Sequence, residues 1–336
     1  MTALRDIAGH GSSIDALRRA VASGRLHHAL LFHGPDGVGK RTTALAVAAA
    51  LLCREASRPE GDACGACASC SKVGKGIHPD VQSLTLEKTV IPIDAVRSLR
   101  QEAGYRPFEG THRVFLIDPA DRLSHEAQNA LLKTLEEPSA SARLILITSR
   151  PAHLLPTTRS RCQALAFGTL PPAELAALLE QAGMAPERAQ RAARLAQGRY
   201  GAARDLDLER ADELRDALIA VLDVVATPGP RAAALDQADA LGEEADEIAE
   251  RLGVLGSLVR DMMVIAAGGS QDMLVSADRA ADLTRLVARF PADPDVFVRM
   301  MDRVGTARVD LERSLNRRLL AETLLLDLAE AAGEGS

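Results

Sequence analysis

Aromatic residues are scarce in this sequence. Its 336 residues include six Phe, two Tyr and no Trp, 2% in all. A core must therefore be assembled from Leu, Ala and Val, a composition that favours helices. Long apolar runs are missing too. The longest, Ala44 to Cys53, falls well short of the roughly 20 residues of a membrane span and reads as a buried helix. The first ten residues, MTALRDIAGH, lack the apolar stretch of a secretion signal. A cytoplasmic protein with no membrane partner is expected. Positive charge is not in excess: 40 Lys and Arg stand against 46 Asp and Glu, a net charge of −6. A chain that grips DNA through many phosphates usually carries a basic surface, so a dominant DNA-binding role finds no support, although a local basic patch is compatible with this balance. Hydrophobic residues at 47% and charged residues at 26% are ordinary for a globular protein, and the length fits two or three domains.

Cysteines are also few, but four of the five cluster. Cys53, Cys64, Cys67 and Cys70 form C-x10-C-x2-C-x2-C, and Cys162 stands alone. In a cytosolic chain such spacing points to metal before disulfides, with reduced thiols or a redox pair as the competing reading. Zinc takes four thiolates in a tetrahedron, and the glycines and alanines of GDACGACASC (61–70) allow the tight turns needed. Four protein ligands leave no open position, so such a zinc would be structural. Cys162 reads as a small packed residue.

Along the chain, residues 3–24 have helical apolar spacing, and HHALLFHG (27–34) reads as a buried strand. A glycine-rich turn, GPDGVGKRT (34–42), leads into a helix at 41–53. Residues 54–77 read as an inserted Cys-rich module. Further strands are expected at 81–86, 112–121 and 142–149, with helices at 93–103, starting near Pro92 or Asp94, and at 125–137, capped by Ser124. Strands alternating with helices imply a parallel α/β sheet. Strand signals stop after about residue 168. Two short helices, 171–183 and 185–198, suggest a small helical lid. From 208 to 332 the period is helical throughout, broken at 227–230, 267–271 and 290–295, with a frayed tail at 331–336. The expected domains are 1–168, 169–207 and 208–336.

GPDGVGK matches the phosphate-loop pattern G-x-x-x-x-G-K, in the strand–loop–helix context that pattern requires. Gly34, Gly37 and Gly39 shape the loop, and Lys40 would reach the outer phosphates. A chance glycine turn is the alternative. The next position should be Ser or Thr, whose hydroxyl holds magnesium, but it is Arg41. Thr42 comes one residue late and, on a helix, points about 100° away. The strand VFLID (114–118) supplies Asp118, the acid that organises magnesium in active ATPases of this type. Pro119 stands where such enzymes carry a water-activating Glu, and Asp121 lies three residues on, where a turn could bring it near. Two lesions in one site are hard to reconcile with turnover.

HHALLFHGPDGVGK, the four-Cys insertion, HPD (78–80), QNALLKTLEEP (128–138) and TTRSRC (157–162), in this order, resemble the AAA+ subunits of the bacterial DNA polymerase III clamp loader, delta-prime and gamma/tau. The resemblance is strong over residues 1–205 and looser beyond, through NRRLLAETLLLDL (316–328). It implies an α/β P-loop AAA+ domain with a zinc insertion, a helical lid and an all-α collar domain. It implies a structural zinc and assigns Arg161 of SRC as an arginine finger acting on a neighbour's ATP, with Arg159 assisting or facing solvent. Thr148 matches the sensor 1 position. Gly201 falls where gamma/tau keeps a sensor 2 arginine, and Arg204 lies three residues later. Arg41, Pro119 and Gly201 all depart toward delta-prime, so ATP and magnesium are not expected at the chain's own site. The implied partners are gamma/tau and delta subunits and, indirectly, the sliding clamp and primed DNA. Two other readings are a gamma/tau-type ATPase, which Arg41, Pro119 and Gly201 oppose, and a zinc-dependent nucleic-acid-binding protein, which the acidic balance, the few aromatics and a closed zinc site oppose.

Overall fold

A computed structural model describes residues 2–85, 90–227, 232–291, 293–311 and 316–333. The chain divides into two compact units, Met1–Arg204 and Asp205–Ser336. Among the described residues no helix is long and apolar enough to cross a membrane.

The first unit is built on five strands: β1 (Ala29–His33), β2 (Val81–Leu84), β3 (Arg113–Ile117), β4 (Ala142–Thr148) and β5 (Gln163–Ala166). All pairings are parallel and the order is β2-β3-β4-β1-β5. Strands β1, β3 and β4 are buried almost throughout, as their continuous apolar runs require in a sheet covered on both faces. The helices are α1 (Gly11–Ala22), α2 (Lys40–Leu52), α3 (Ala68–Gly74), α4 (Ile93–Ala103), α5 (His125–Glu136), α6 (Pro156–Arg159), α7 (Pro172–Gln181), α8 (Pro186–Leu195) and α9 (Tyr200–Arg204). Alternate strand residues feed two cores: Leu30, Phe32, Val114 and Leu116 join the buried alanines of α2, while Leu31, Phe115 and Ile117 face α4 and α5. Alanine suits α2 because small side chains let a helix lie close on the sheet.

Several expectations need adjusting. The helix anticipated over 3–24 is a 3₁₀ turn, Leu4–Asp6, followed by α1. Gly9 and His10 break it, both at positive φ (67° and 56°), a conformation no helix interior accepts. The strand expected over 81–86 is seen at Val81–Leu84, and residue 86 lies outside the described residues. The strand of 112–121 stops at Ile117, so Asp118 stands just beyond its carboxyl end. Strand β5 and helices α3, α6 and α9 were not expected. Ser124 caps α5 as anticipated, accepting from the Ala127 amide at 3.1 Å.

The second unit is helical: α10 (Leu208–Val225), α11 (Ala232–Leu235), α12 (Ala245–Ala266), α13 (Ala280–Val287), α14 (Asp295–Asp310) and α15 (Arg317–Gly333). Leucines, valines and methionines of α10, α12, α14 and α15 form one core. Two buried charges are paired locally. Asp261 accepts from the Val275 and Ser276 amides, and Arg215 pairs with Asp212 and Asp278. The expected break at 227–230 and the frayed tail fall largely outside the described residues, which omit 228–231 and 334–336.

The HPD segment is a structural junction. His78 Nδ1 accepts from the Asp80 amide at 3.1 Å, which leaves Nε2 to donate to Ser69 Oγ at 3.0 Å, and the Ser69 hydroxyl donates to the Leu52 carbonyl at 2.8 Å. Asp80, 1% exposed, accepts from three successive amides, Phe108, Glu109 and Gly110, at 2.6–2.8 Å. Burial acts to raise its pKa, but these three donors outweigh it and hold the carboxyl below its usual range. A carboxylate with a depressed native pKa contributes stability that is present above the unfolded value and lost as pH falls through the native one. Asp80→Ala leaves three amides without their acceptor and is expected to cost about 2–4 kcal/mol near neutral pH, read by urea unfolding. The wild-type advantage over the variant should shrink below roughly pH 4. An equally stable Asp80→Ala would contradict the role given to this carboxylate.

Candidate functional site

In a parallel sheet the carboxyl ends of all strands lie at one edge, and the loops there form the ligand crevice. β1 delivers the phosphate loop to that edge. Gly34 (φ 141°) has no room for a side chain, since a Cβ would lie 1.9 Å from the Phe167 carbonyl at the end of β5. Gly37 and Gly39 take positive φ of 78° and 95°. Lys40 opens α2 but folds back on the loop. Its Nζ donates to the Gly34 and Pro35 carbonyls, each at 2.6 Å, and sits 3.5 Å from Asp36, leaving the residue 5% exposed.

Thr148, in register with His33, ends β4 beside this loop, and its hydroxyl donates to Asp121 at 2.6 Å. Asp121 is thus turned toward the site, as its spacing allowed. Arg41 reaches Asp118 with an N···O distance of 3.0 Å. Gly201 of α9 lies over the loop, its amide donating to the Gly37 carbonyl at 3.1 Å. The structure therefore gathers Gly34, Gly37, Gly39, Lys40, Asp118 and Thr148 at one edge. The Arg41–Asp118 pair and the Gly201 contact were missed, because both link residues distant in sequence.

Arg161 is elsewhere. It precedes β5, whose first residue Gln163 is in register with Leu30, four residues before Gly34. Four residues of strand rise roughly 13 Å, so Arg161 lies at the amino edge, away from the chain's own loop. One guanidinium nitrogen donates to the Thr157 carbonyl at 3.0 Å and another meets Glu136, at the end of α5, at 2.6 Å. Its side chain remains about one-third exposed (36%). Gln128 of α5 steadies the preceding loop, accepting from the Leu155 amide at 2.7 Å and donating to the His153 carbonyl at 3.2 Å. Cys162 packs half-buried against the α4–α5 core, and burial pushes its thiol up to about 11, as befits an inert packed residue.

The four clustered cysteines converge. Their Sγ atoms all lie within 4.8 Å of one another, with Cys53 to Cys67 at 4.0 Å and Cys64 to Cys70 at 3.9 Å. A tetrahedron with bonds of about 2.3 Å separates sulfurs by about 3.8 Å, so this donor set fits one zinc ion and is too wide for disulfides. The amides of Cys64, Cys67 and Cys70 point at the sulfurs of Cys53, Cys64 and Cys67, at 3.3–3.5 Å. Burial opposes ionisation of Cys67, yet the Cys70 amide and neighbouring thiols bring it down to about 6, whereas burial pushes Cys70 up. Asp62, fully buried, ties the module to the first turn by accepting from the Leu4 and Arg5 amides at 2.9 and 3.0 Å.

Residues 9–171 match the family described as DNA polymerase III, delta subunit. Over these residues the chain is similar to clamp-loader AAA+ subunits. The DNA polymerase III subunit delta' of Bacillus subtilis is 31% identical over 206 residues, covering 61% of each chain. The delta' of Pseudomonas aeruginosa is 44% identical over 40% of this chain and 41% of its own. The gamma/tau subunit of Mycobacterium tuberculosis is 35% identical over 52% of this chain and 30% of its own. The chain thus spans about three fifths or less of the length of these clamp-loader relatives.

The cysteine geometry leads to a direct expectation. Purified chain should carry one zinc, released by chelator with a fall in Tm on the order of 5–10 °C, and Cys67→Ser should lose most of the metal. Metal analysis and thermal melting read both. A metal-free chain that melts at the same temperature as the zinc-loaded one would contradict a structural zinc.

Proposed function

We propose that this chain is a delta-prime-type subunit of the DNA polymerase III clamp loader, which supplies Arg161 to a neighbouring gamma/tau-type ATP site and does not turn over ATP itself. The observation that carries this reading is the separation of Arg161 from the chain's own phosphate loop by the length of the sheet. A partly exposed arginine on a rigid edge, out of reach of its own site, is suited to a site on another chain. Its planar, permanently charged fork can stabilise charge developing on a γ-phosphate. The chain's own loop is poorly equipped for hydrolysis. Arg41 replaces the magnesium-holding hydroxyl, Pro119 replaces the water-activating acid, and Gly201 replaces a lid arginine.

Structural zinc on Cys53, Cys64, Cys67 and Cys70 would stiffen the outer side of α2. The helical second unit would serve as the collar that joins gamma/tau and delta in a ring, and the assembly would place the sliding clamp on primed DNA. A gamma/tau-type ATPase is the other reading, favoured by the identity to gamma/tau subunits.

Two measurements separate them. Steady-state phosphate release by the isolated chain should stay at background, and turnover abolished by Lys40→Ala would establish the ATPase reading. In a reconstituted loader, Arg161→Ala should leave assembly intact, checked by gel filtration. It should lower the rate at the facing site on the order of 10³-fold, so total DNA-stimulated ATPase falls only in part. Arg161→Lys should not rescue, because an ammonium lacks the bidentate fork. Unchanged ATPase and clamp loading in an assembled Arg161→Ala loader would refute the finger role.

A further inference from the structure

The fold family implies a magnesium–nucleotide complex at the phosphate loop, and the residues present do not fit one. The mismatch goes beyond missing groups, because a positive charge has been added. Arg41, the second residue of α2, reaches the carboxyl edge of the sheet and pairs with Asp118 at 3.0 Å. Asp118 is the carboxylate in which the family pattern would invest a divalent cation. The hydroxyls that could substitute as ligands are directed elsewhere. Thr42 is exposed, Thr43 is buried and donates to the Gly39 carbonyl at 3.0 Å, and Thr148 donates to Asp121 at 2.6 Å. Lys40 is occupied by loop carbonyls, and α9 lies on the loop through Gly201.

We propose that Arg41 is the site's own cation: a tethered guanidinium that neutralises Asp118 and excludes divalent metal from the carboxyl edge of β3. A guanidinium stays charged at every accessible pH and has no lone pair for a metal. A divalent ion approaching Asp118 therefore meets both a carboxylate already in use and a like charge within a few ångströms, where repulsion is strong at a partly screened site. Arg41 is thus an added device that keeps the edge neutral and metal-free, rather than a passive loss of the magnesium hydroxyl. The inference concerns the chain's own loop and stands whether or not Arg161 acts on a neighbour.

The test uses the full zinc-loaded chain and Mn²⁺ alone, with binding read by water-proton relaxation. Thiolates and Mn²⁺ are poorly matched, so the cysteine cluster does not compete. The wild-type chain should show no Mn²⁺ site that depends on Asp118. Arg41→Ser and Arg41→Gln, two neutral variants of different size, should each bind Mn²⁺ on the order of tenfold more tightly or better. Asp118→Asn in either background should abolish the gain, and Arg41→Lys, which keeps the charge, should behave like wild type. Thermal melting confirms that the variants fold, as expected for a pair this exposed. The proposal is overturned if neither neutral variant binds Mn²⁺ better than wild type, if the gain survives Asp118→Asn, or if wild type already binds at Asp118.

Discussion

The polarity of the parallel sheet is the constraint from which the rest follows. Five strands running in one direction bring Gly34, Asp118 and Thr148 to one edge and leave the segment before β5 at the other. The phosphate loop and Arg161 therefore look out from opposite ends of one rigid layer. A sheet buried on both faces deforms little, because its strands are packed at crystal-like density. Arg161 is then held at a fixed offset from the Gly34–Lys40 loop.

Around this frame the polar groups divide into two kinds. Some are internal fasteners: Asp80 on three amides, Asp62 on the first turn, and His78 and Ser69 linking α3 to α2 and β2. These are buried and fully used, so their chemistry ends in structure. Others stand at edges and keep exposure: Arg41 on Asp118, and Arg161 on Glu136. Exposed pairs of this sort are worth about 1 kcal/mol or less, too little to be explained by stability alone. Arg161 can leave Glu136 for a stronger anion at little cost.

Much of this was legible in the sequence. β1, β3 and β4 announce themselves as apolar runs, and α5 by its Ser124 cap. The cysteine spacing marked a cluster because tight turns bring CxxC sulfurs together whatever the surroundings. Other features were hidden for physical reasons. β5 is short and largely exposed outside Leu165, so it carries no buried run. The break at His10 was concealed because apolar Leu4, Ile7 and Ile14 continue a helical period across it. The Arg41–Asp118 and Gly37–Gly201 contacts join residues 77 and 164 positions apart, and only the folded sheet and the placement of α9 bring them together.

The most direct test of the proposal that this chain lends an arginine and holds no ATP of its own is the structure of the assembled loader, trapped with a metal-fluoride mimic of the transferring phosphate. Arg161 should then have left Glu136 and should contact the mimic bound to the adjacent gamma/tau-type subunit, with the Gly34–Lys40 loop free of nucleotide. Arg161 still on Glu136, or nucleotide and metal in this chain's own loop, would contradict the account.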